Sequence, residues 1–333
     1  MITNDNSAVR HSSPTGAQSG AAMVDVDRLV KRYRGAKRNA VDGISFTVGV
    51  GEFFALLGPN GAGKSTTVSI LTTTLAPTSG QARIAGFDLR ADPAAVRERI
   101  GIIFQNPSLD MNLTGEENIR LHAIMYGLHP YRPAYRLMPA SYRQQISETA
   151  AVLGMESELF QPVRKLSGGM RRKLEIIRAL MHRPQALFLD EPTTGLDVAS
   201  RRSLWAYLGE IRQRHETTIL LTTHSLDEAE AADRILILDH GQVVAHGAPA
   251  DIKAQVSADS LELDADDRAA LRRELDALGV RVDEIGESGP FRVTLAPSTS
   301  VHQLVRSIQT PLTHLQTHQA SLEEVYLRIV ANE

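Results

Sequence analysis

The sequence predicts an α/β fold in which buried strands bring polar residues to one end of an open sheet. Four short apolar runs support this prediction, at residues 53–57, 100–104, 186–189 and 218–223, and each is followed at once by glycine or polar residues. Short apolar runs bounded by turn signals are typical of buried strands. Residues 106–165 carry helical patterns and no strand pattern, so we expect a helical insertion there.

The composition limits the class of protein. A chain of 333 residues can form one large domain and a smaller one, and 42% hydrophobic with 23% charged residues is ordinary for a soluble globular protein. The net charge of −3 lacks a basic bias, so no nucleic acid is expected as a partner. Cysteine is absent, which excludes disulfides and thiolate metal sites.

The ends and the apolar runs carry no targeting or spanning signal. No apolar run approaches the ~18 residues that cross a bilayer. Residues 1–22 are rich in Ser, Gly and Asn and lack the apolar core of a secretion signal, so we predict a disordered N-terminal lead.

The clearest chemical signal is a glycine loop that matches G-x-x-x-x-G-K-[ST] and lies between a predicted strand and a predicted helix. It consists of Gly58, Pro59, Asn60, Gly61, Ala62, Gly63, Lys64, Ser65 and Thr66. Such a loop points successive backbone N–H groups at a phosphate, and the following helix adds its positive end. Lys64 would reach the β- and γ-phosphates and Ser65 would bind Mg²⁺. The alternative, a βα turn that binds nothing, fits the flanking elements poorly.

An aromatic residue precedes this loop. The first ordered segment is predicted at 24–33 and a second strand at 44–48, with Tyr33 in the polar stretch between them. Tyr33 could stack on a base, or it could pack on its own sheet. The spacing alone leaves both interpretations open.

Polar residues follow two further predicted strands. A strand-like stretch at 81–87 precedes the buried run 100–104, which ends at Gln105. Asp190 and Glu191 directly follow the run 186–189, and His224 directly follows the run 218–223. The carboxyl ends of strands in an open α/β sheet are where ligands bind. In a nucleotide site, one carboxylate can serve the metal and the other the attacking water. Considered singly, Gln105 and His224 would more often be structural.

The predicted insertion contains two helices. Thr114 and Glu117 form a capping box that opens a helix through residues 119–125, and a second helix is predicted at 142–153. A helix at 171–182 follows, with Ser167 as its cap and two glycines exposing N–H groups at its start. This segment is either a second anion-binding helix start or an ordinary cap with glycine neighbours.

Six elements in order make residues 24–247 resemble the ATP-binding subunit of an ABC transporter. They are Tyr33, the phosphate loop, Gln105, the Leu-Ser-Gly-Gly signature at 166–169, the run ending in Asp190 and Glu191, and His224. The resemblance implies a P-loop NTPase core with a helical insertion. Residue 170 is Met where the family often has Gln, which bears on coupling more than on activity.

The resemblance also implies a role for each site residue. Tyr33 would stack on adenine, and Lys64, Ser65 and Thr66 would hold the phosphates and Mg²⁺. Gln105 would sense the metal and the water, Asp190 would support Mg²⁺, and Glu191 would position or deprotonate the water. His224 would fix the γ-phosphate. Ser167, Gly168 and Gly169 would close over the ATP of a second subunit, and Asp197 would communicate across that dimer.

Two stretches resemble the daunorubicin-resistance type of exporter ATPase within the family, namely 107–118 and 321–327. The expected domains are an ABC ATP-binding domain at 23–250, with its insertion at about 106–165, and a small α+β domain at 258–333. The order of predicted elements in that last part is βαββαβα, which suggests a split-βαβ domain. Ser321 and Glu324 form another capping box.

The leading hypothesis is an ATPase that drives a membrane exporter for a drug, antibiotic or lipid-like substrate. It would act as a homodimer with composite ATP sites, docked on an integral membrane permease of about six spans, at the cytoplasmic face of the membrane. The docking surface is predicted between Gln105 and Thr114, together with the helical insertion behind it. Leu109 and Met111 are apolar there, although such residues could instead seat the insertion on the core. The alternatives are a soluble ABC ATPase acting on nucleic acid or ribosomes, and a nucleotide-binding regulator with little turnover.

Overall fold

The computed structural model describes residues 22–105, 108–256, 260–284, 289–294, 301–318 and 321–331. The predicted N-terminal lead, 1–22, lies outside the described residues except for Ala22, at which the first strand begins. Residues 106 and 107 of the predicted docking segment also lie outside them.

Two sheets form the main body of the fold. An antiparallel sheet has the order β2-β1-β4-β5, with β1 Ala22–Lys31, β2 Val41–Gly49, β4 Ser79–Ile84 and β5 Phe87–Asp88. A central sheet has the order β10-β9-β3-β8-β7-β6, with β3 Phe53–Leu57, β6 Ile100–Ile103, β7 Ala186–Asp190, β8 Thr218–Thr223, β9 Arg234–Asp239 and β10 Gln242–Gly247. Its pairs are parallel except for β10 with β9.

The helices of this body surround the central sheet. They are α1 Lys64–Leu71, α2 Pro93–Arg99, α3 Gly115–Met125, α4 Ala140–Leu153, α5 Gly168–Leu180, α6 Val198–His215, α7 Leu226–Glu230 and α8 Pro249–Val256. Among the described residues, none of the helices is long and apolar enough to cross a membrane.

Strand β3 separates two apolar cores because successive side chains of a strand point to opposite faces. Phe53, Ala55 and Leu57 join the core formed with the helical insertion and α5 to α8. Phe54 and Leu56 join the core formed with α1 and the antiparallel sheet, where Phe46 and Phe54 stack with centroids 5.4 Å apart. A strand buried on both faces is continuously apolar, which explains the unbroken run at 53–57.

The remaining described residues form a third sheet, with the order β12-β13-β11-β14 and antiparallel pairing throughout. Its elements are β11 Ser260–Ala265, α9 Arg268–Ala277, β12 Arg281–Glu284, β13 Phe291–Thr294, α10 Val301–Ser307 and β14 Leu312–His318, followed by α11 Leu322–Ala331. This sheet has its own small core. Helix α11 instead packs on α8 and α7, and its Leu322 and Val325 are buried in the core beneath the insertion.

The four predicted strands and the predicted helices are present, with differences at their ends. The stretch at 81–87 is a hairpin of β4 and β5, since Ala85 and Gly86 both have positive φ and turn the chain. Helix α5 begins at Gly168 rather than at 171 and ends at Leu180. The sequence interpretation assigned no element to β9, β10, α2, α6, α7 or α8. Both capping boxes are confirmed by reciprocal hydrogen bonds, Thr114 with Glu117 and Ser321 with Glu324.

A partly exposed aromatic cluster joins the insertion to the chain just after α5. His122 and His182 both pack against Tyr126, each with its ring centroid 4.4 Å from that of Tyr126. Burial, together with the nearby charges of Arg178 and His182, lowers the pKa of His122 to about 3. Burial also lowers the pKa of His182. Both imidazoles are therefore neutral in the folded protein near neutral pH.

This cluster makes stability sensitive to acid. In the unfolded chain a histidine takes up its proton near pH 6.5, whereas folded His122 resists protonation down to about pH 3. Below about pH 6.5 the unfolded state therefore binds more protons, and the free energy of unfolding falls as the pH falls. When the pH is lowered from about 7 to about 5, we expect the melting temperature of His122→Phe to fall less than that of the wild type. The exposed His215 gives the matched control, His215→Phe, which should behave as the wild type. An unchanged acid sensitivity in His122→Phe would contradict this assignment.

Candidate functional site

The phosphate loop joins the end of β3 to the start of α1. Gly63, directly before α1, has φ 105°, a conformation that residues with a Cβ rarely adopt. A Cβ at this position would lie 2.4 Å from the carbonyl oxygen of Ala40. Both the backbone conformation and the close approach of the neighbouring chain therefore require glycine here.

Lys64 is held inside this loop. Its side chain is buried, with 6% of the residue exposed, and its Nζ donates to the carbonyl oxygens of Gly58 at 2.6 Å and Pro59 at 3.1 Å. Burial lowers the pKa of Lys64, while the negative charges of Glu191 and Asp190 act in the opposite direction. The loop thus keeps a cationic group close to the point where its N–H groups converge.

Oxygen donors suited to Mg²⁺ lie beside the loop. Ser65 is exposed, and its Oγ lies 3.4 Å from Asp190 Oδ1, which also accepts a hydrogen bond from Thr222 Oγ1. Mg²⁺ is commonly bound by one or two carboxylates together with substrate phosphates. In the part of the chain that the structure describes, no group of three or more His, Cys, Asp or Glu side chains could hold a metal by itself. The donor set therefore fits a Mg²⁺ that is shared with a nucleotide.

Glu191 lies where the predicted strand ends meet. Its Oε2 accepts from Gln105 Nε2 at 3.2 Å and from Thr194 Oγ1 at 3.4 Å, and its Oε1 lies 3.2 Å from His224 Nδ1. The structure thus brings together three residues that the sequence placed at the ends of separate strands. Asp190 is next to Glu191 in the chain, and the Oγ atom of Ser65 lies near the carboxylate of Asp190.

Tyr33 lies near the phosphate loop, beyond the end of β1. Its hydroxyl is 3.3 Å from Thr66 Oγ1, Lys31 Nζ is 5.6 Å from its ring centroid, and 46% of the residue is exposed. A ring packed into its own sheet would be more buried. The exposed ring beside the loop has room for a base on its open face.

The signature residues lie at the start of α5. Ser167 caps α5, accepting from the backbone N of Met170 at 3.2 Å, and a Cβ at Gly168 would meet nothing within 4 Å. None of the hydrogen bonds among the described residues joins this segment to the phosphate loop. Ser167 and Gly168 are exposed, so the start of α5 is accessible from the solvent.

Asp197 lies at the start of α6, away from the Glu191 cluster. It caps this helix, with Oδ1 accepting from Ser200 N at 2.8 Å and Oδ2 from Ser200 Oγ at 3.0 Å. These bonds lower the pKa of Asp197, the backbone bond most. Asp197 is exposed, so its side chain is accessible to a neighbouring subunit.

Two buried residues of the site were missed by the sequence interpretation. Thr222 binds Asp190, and its carbonyl accepts from Glu191 N at 3.1 Å. Glu228 accepts from Thr193 Oγ1 and, at 2.6 Å, from Thr223 Oγ1, which ties the end of β8 to the turn after Glu191. A polar pair ending an apolar strand was the available signal for Thr222, while Glu228 gives no sign of its role in sequence.

The fold and the site define a phosphate-loop ATPase. Residues 41–194 match the ABC transporter family. The daunorubicin/doxorubicin resistance ATP-binding protein of Streptomyces peucetius is 37% identical over 320 residues, which cover 93% of this chain and 92% of that protein. The chain belongs to the ATP-binding subunits of ABC transporters.

Further similarities agree with this assignment. The Nod factor export ATP-binding protein I of Ralstonia nicotianae is 35% identical over 98% of this chain and 99% of its own length. Among solved structures, an ATP-binding subunit of an ABC transporter covers 70% of this chain with a TM-score of 0.63 and 32% identity. A dimeric ATP-binding cassette in a post-hydrolysis state, bound to ADP and Pi, covers 68% with a TM-score of 0.61 and 27% identity. The predicted resemblance and the predicted fold class are therefore confirmed, and the chain is an ABC-type ATPase.

The exposed Tyr33 ring provides a test of how the nucleotide base is held. We expect Tyr33→Ala to weaken ATP binding by roughly 1–3 kcal/mol, the size of one stacking contact, while turnover at saturating ATP stays close to that of the wild type. The measurement is titration calorimetry with ATP, and Tyr33→Phe is the control because it keeps the ring and removes only the hydroxyl. If Tyr33→Ala keeps its affinity but melts at a lower temperature, the ring packs rather than binds.

Proposed function

We propose that this chain hydrolyses Mg-ATP in composite sites of a head-to-tail homodimer and thereby drives export through a separate membrane permease. The observation that carries the proposal is the position of Glu191, held between Gln105, Thr194 and His224 at distances of 3.2 to 3.4 Å. A carboxylate in such a setting can orient or deprotonate a water molecule. The exposed Ser65 and the phosphate loop adjoin it through Asp190.

Each residue of the site has a role in this proposal. The loop residues 58–63, with Lys64 and Thr66, bind the phosphates, Tyr33 stacks on adenine, and Ser65, Asp190 and Gln105 hold Mg²⁺. The metal, when bound, neutralises phosphate charge. Glu191 takes the proton of the attacking water, Gln105 orients that water, and His224 binds the γ-phosphate. The His224 ring and the Glu191 carboxylate are already in hydrogen-bond contact, so each limits the rotamers of the other.

A dimer with two composite sites accounts for the separation between the two anion-binding segments. One γ-phosphate needs only one nest of N–H groups from one subunit, whereas this chain carries two such segments that no described hydrogen bond connects. We propose that Ser167, Gly168 and Gly169 of one subunit close over the ATP bound by the other. Asp197 would then lie at the subunit boundary. The dimeric cassette among the similar structures supports this arrangement.

Export is supported by the relatives, whose names describe drug resistance and Nod factor export. We propose that the partner is an integral membrane permease of about six spans and that this chain lies peripherally at the cytoplasmic face of the membrane. The transported molecule would be a drug, antibiotic or lipid-like compound. The alternative of a soluble ATPase acting on nucleic acid or ribosomes is not favoured by these relatives.

One residue of the predicted docking surface is buried. Leu109 is only 8% exposed and lies in the core with Ile119, so it seats the insertion rather than contacting a partner. Met111 is exposed. The most exposed large apolar groups of the insertion, among the described residues, are Met125, 84% exposed, and Tyr131, 65% exposed. Because exposed apolar surface can mark an interaction site, we propose that these two residues contact the permease.

The chain divides into two domains in this proposal. We propose an ATP-binding domain at 23–250 that contains the insertion, and a small split-βαβ domain at 258–333. The separate core of the third sheet supports the second domain. Within this domain Arg292 joins the third sheet to α11, with Nη2 donating to Glu262 at 2.9 Å and Nη1 to Glu324 at 3.2 Å.

Glu191→Gln tests the hydrolytic role directly. The amide keeps the shape of the side chain but cannot take a proton, and a positioned base is typically worth about 10²–10⁴-fold in rate. We expect the rate of phosphate release to fall by that factor, while ATP binding is preserved. On a sizing column the variant should run as a dimer in Mg-ATP and as a monomer in ADP.

The control for this experiment is Glu98→Gln, since the side chain of Glu98 is exposed and remote from the site. Turnover near the wild-type rate in Glu191→Gln would remove Glu191 from its assigned role. A monomer in Mg-ATP would count against composite sites.

Charge substitutions test the docking surface. We expect Met125→Lys combined with Tyr131→Lys to abolish co-purification with the membrane permease and to abolish export, because a desolvated charge opposes apolar contact. ATP hydrolysis by the isolated chain should be unchanged. Val50→Lys is the matched control, since Val50 is an exposed apolar residue in the turn before β3. Continued membrane association of the double variant would place the docking surface elsewhere.

A further inference from the structure

Arg172 is a buried arginine whose donors are all engaged. It lies in α5, the helix that the signature opens, and 5% of the residue is exposed. Its five N–H groups have five acceptors: Pro192 O from Nε at 3.0 Å, Phe104 O and Glu175 Oε2 from Nη1, and Asp190 O and Glu191 O from Nη2 at 2.8 and 3.0 Å. Four of these acceptors are backbone carbonyls of the hydrolytic site.

These carbonyls belong to two strand ends. Phe104 directly precedes Gln105 at the end of β6, whereas the other three belong to the end of β7 and the turn that follows it. Arg172 therefore bonds the backbone on which Gln105 and Glu191 are mounted, without contacting either side chain. A planar guanidinium can bridge two strand ends in a fixed geometry, which a lysine ammonium cannot reproduce.

The same face of α5 also holds the segment after Gln105. Arg172, Glu175 and Arg178 follow at intervals of three residues, which places them on one side of a helix. Glu175 Oε1 accepts from the backbone N of Ser108 at 2.7 Å, and Arg178 Nη1 donates to the carbonyl oxygen of Ser108 at 2.6 Å. The signature helix is thus bonded to the chain before Gln105 and after it.

The backbone that Arg172 binds is strained. Glu191 has φ 48°, an uncommon conformation for a residue other than glycine, which persists only where its surroundings impose it. A buried Arg–Glu pair such as Arg172 with Glu175 is seldom a net source of stability. A role in holding an unfavourable backbone conformation gives this buried charge a functional reason.

We propose that Arg172 is a positioning residue that sets the places of Glu191 and Gln105 and fastens them to the signature helix. A displacement of the signature, as on closure over the ATP of a second subunit, would then reach the hydrolytic residues of the same subunit through one side chain. This inference rests on the proposed function, in which Glu191 acts on the attacking water.

Arg172→Lys is the direct test, because it keeps the positive charge and removes the planar fork. A misplacement of about 1 Å in an active site can cost about 10²-fold in rate, and we expect kcat to fall by about that factor. The affinity for ATP should stay unchanged, since the phosphate loop is untouched. Arg171→Lys is the matched control: Arg171 is the adjacent arginine and donates to Val163 O and Arg164 O, outside the site.

A double-mutant cycle with Glu191→Gln separates positioning from general stability. If Arg172 acts through Glu191, adding Arg172→Lys to Glu191→Gln should lower the residual turnover little or not at all. Independent losses that multiply would overturn the proposal, as would a wild-type kcat in Arg172→Lys. If Glu191→Gln alone kept the wild-type rate, the proposed role of Glu191 would fail first.

Glu175→Gln covers the case in which Arg172→Lys fails to bind ATP or to fold. The amide retains an oxygen for Ser108 N or for Arg172 but removes the charge that orients the guanidinium. We expect a smaller loss in kcat, unchanged ATP affinity, and again no further loss in the Glu191→Gln background. An unchanged kcat, or a loss that multiplies with that of Glu191→Gln, would overturn the proposal here as well.

Discussion

The left-handed backbone at Glu191 is the constraint on which the rest of the site depends. A residue with a Cβ pays of order 1–3 kcal/mol for such a conformation, so the surrounding structure must impose it. Strand β8 does so from one side, since Thr222 O accepts from Glu191 N, and α5 does so from the other through Arg172. Because Thr222 also binds Asp190, one strand end positions both carboxylates.

The polar residues of the site fall into two groups, those that fix its geometry and those that can contact a ligand. Arg172, Glu175, Thr222 and Glu228 are buried, and their hydrogen bonds run between secondary-structure elements. Ser65, Gln105 and His224 are exposed and can meet a ligand. A buried polar group without partners is costly, so such groups recur where their bonds fix a geometry. The hydrogen bonds of the buried residues therefore hold the site in place, while Ser65, Gln105 and His224 face solvent.

Sequence alone predicted the elements with local signals and missed those without them. The strands β3, β7 and β8 contain short apolar runs, and the capping boxes are formed by residues three apart. Arg172 and Glu228, in contrast, act through partners up to 68 and 35 residues away along the chain, so no local pattern identifies them. Leu109 was wrongly assigned to the surface because an apolar residue in a loop can face either solvent or core. The burial of Leu109 in the structure, where it is 8% exposed, decides between the two.

Helix α11 has a consequence for how the chain folds during synthesis. Leu322 and Val325 complete the core that also contains Ile252 and Ala229, yet α11 leaves the ribosome after every other described element. Domains generally fold as units as they emerge, and an incomplete core leaves apolar surface uncovered. The apolar surface of α7 and α8 that α11 covers therefore stays exposed to solvent in the nascent chain until the third sheet has been synthesised. That interval is when a chaperone would have most to bind.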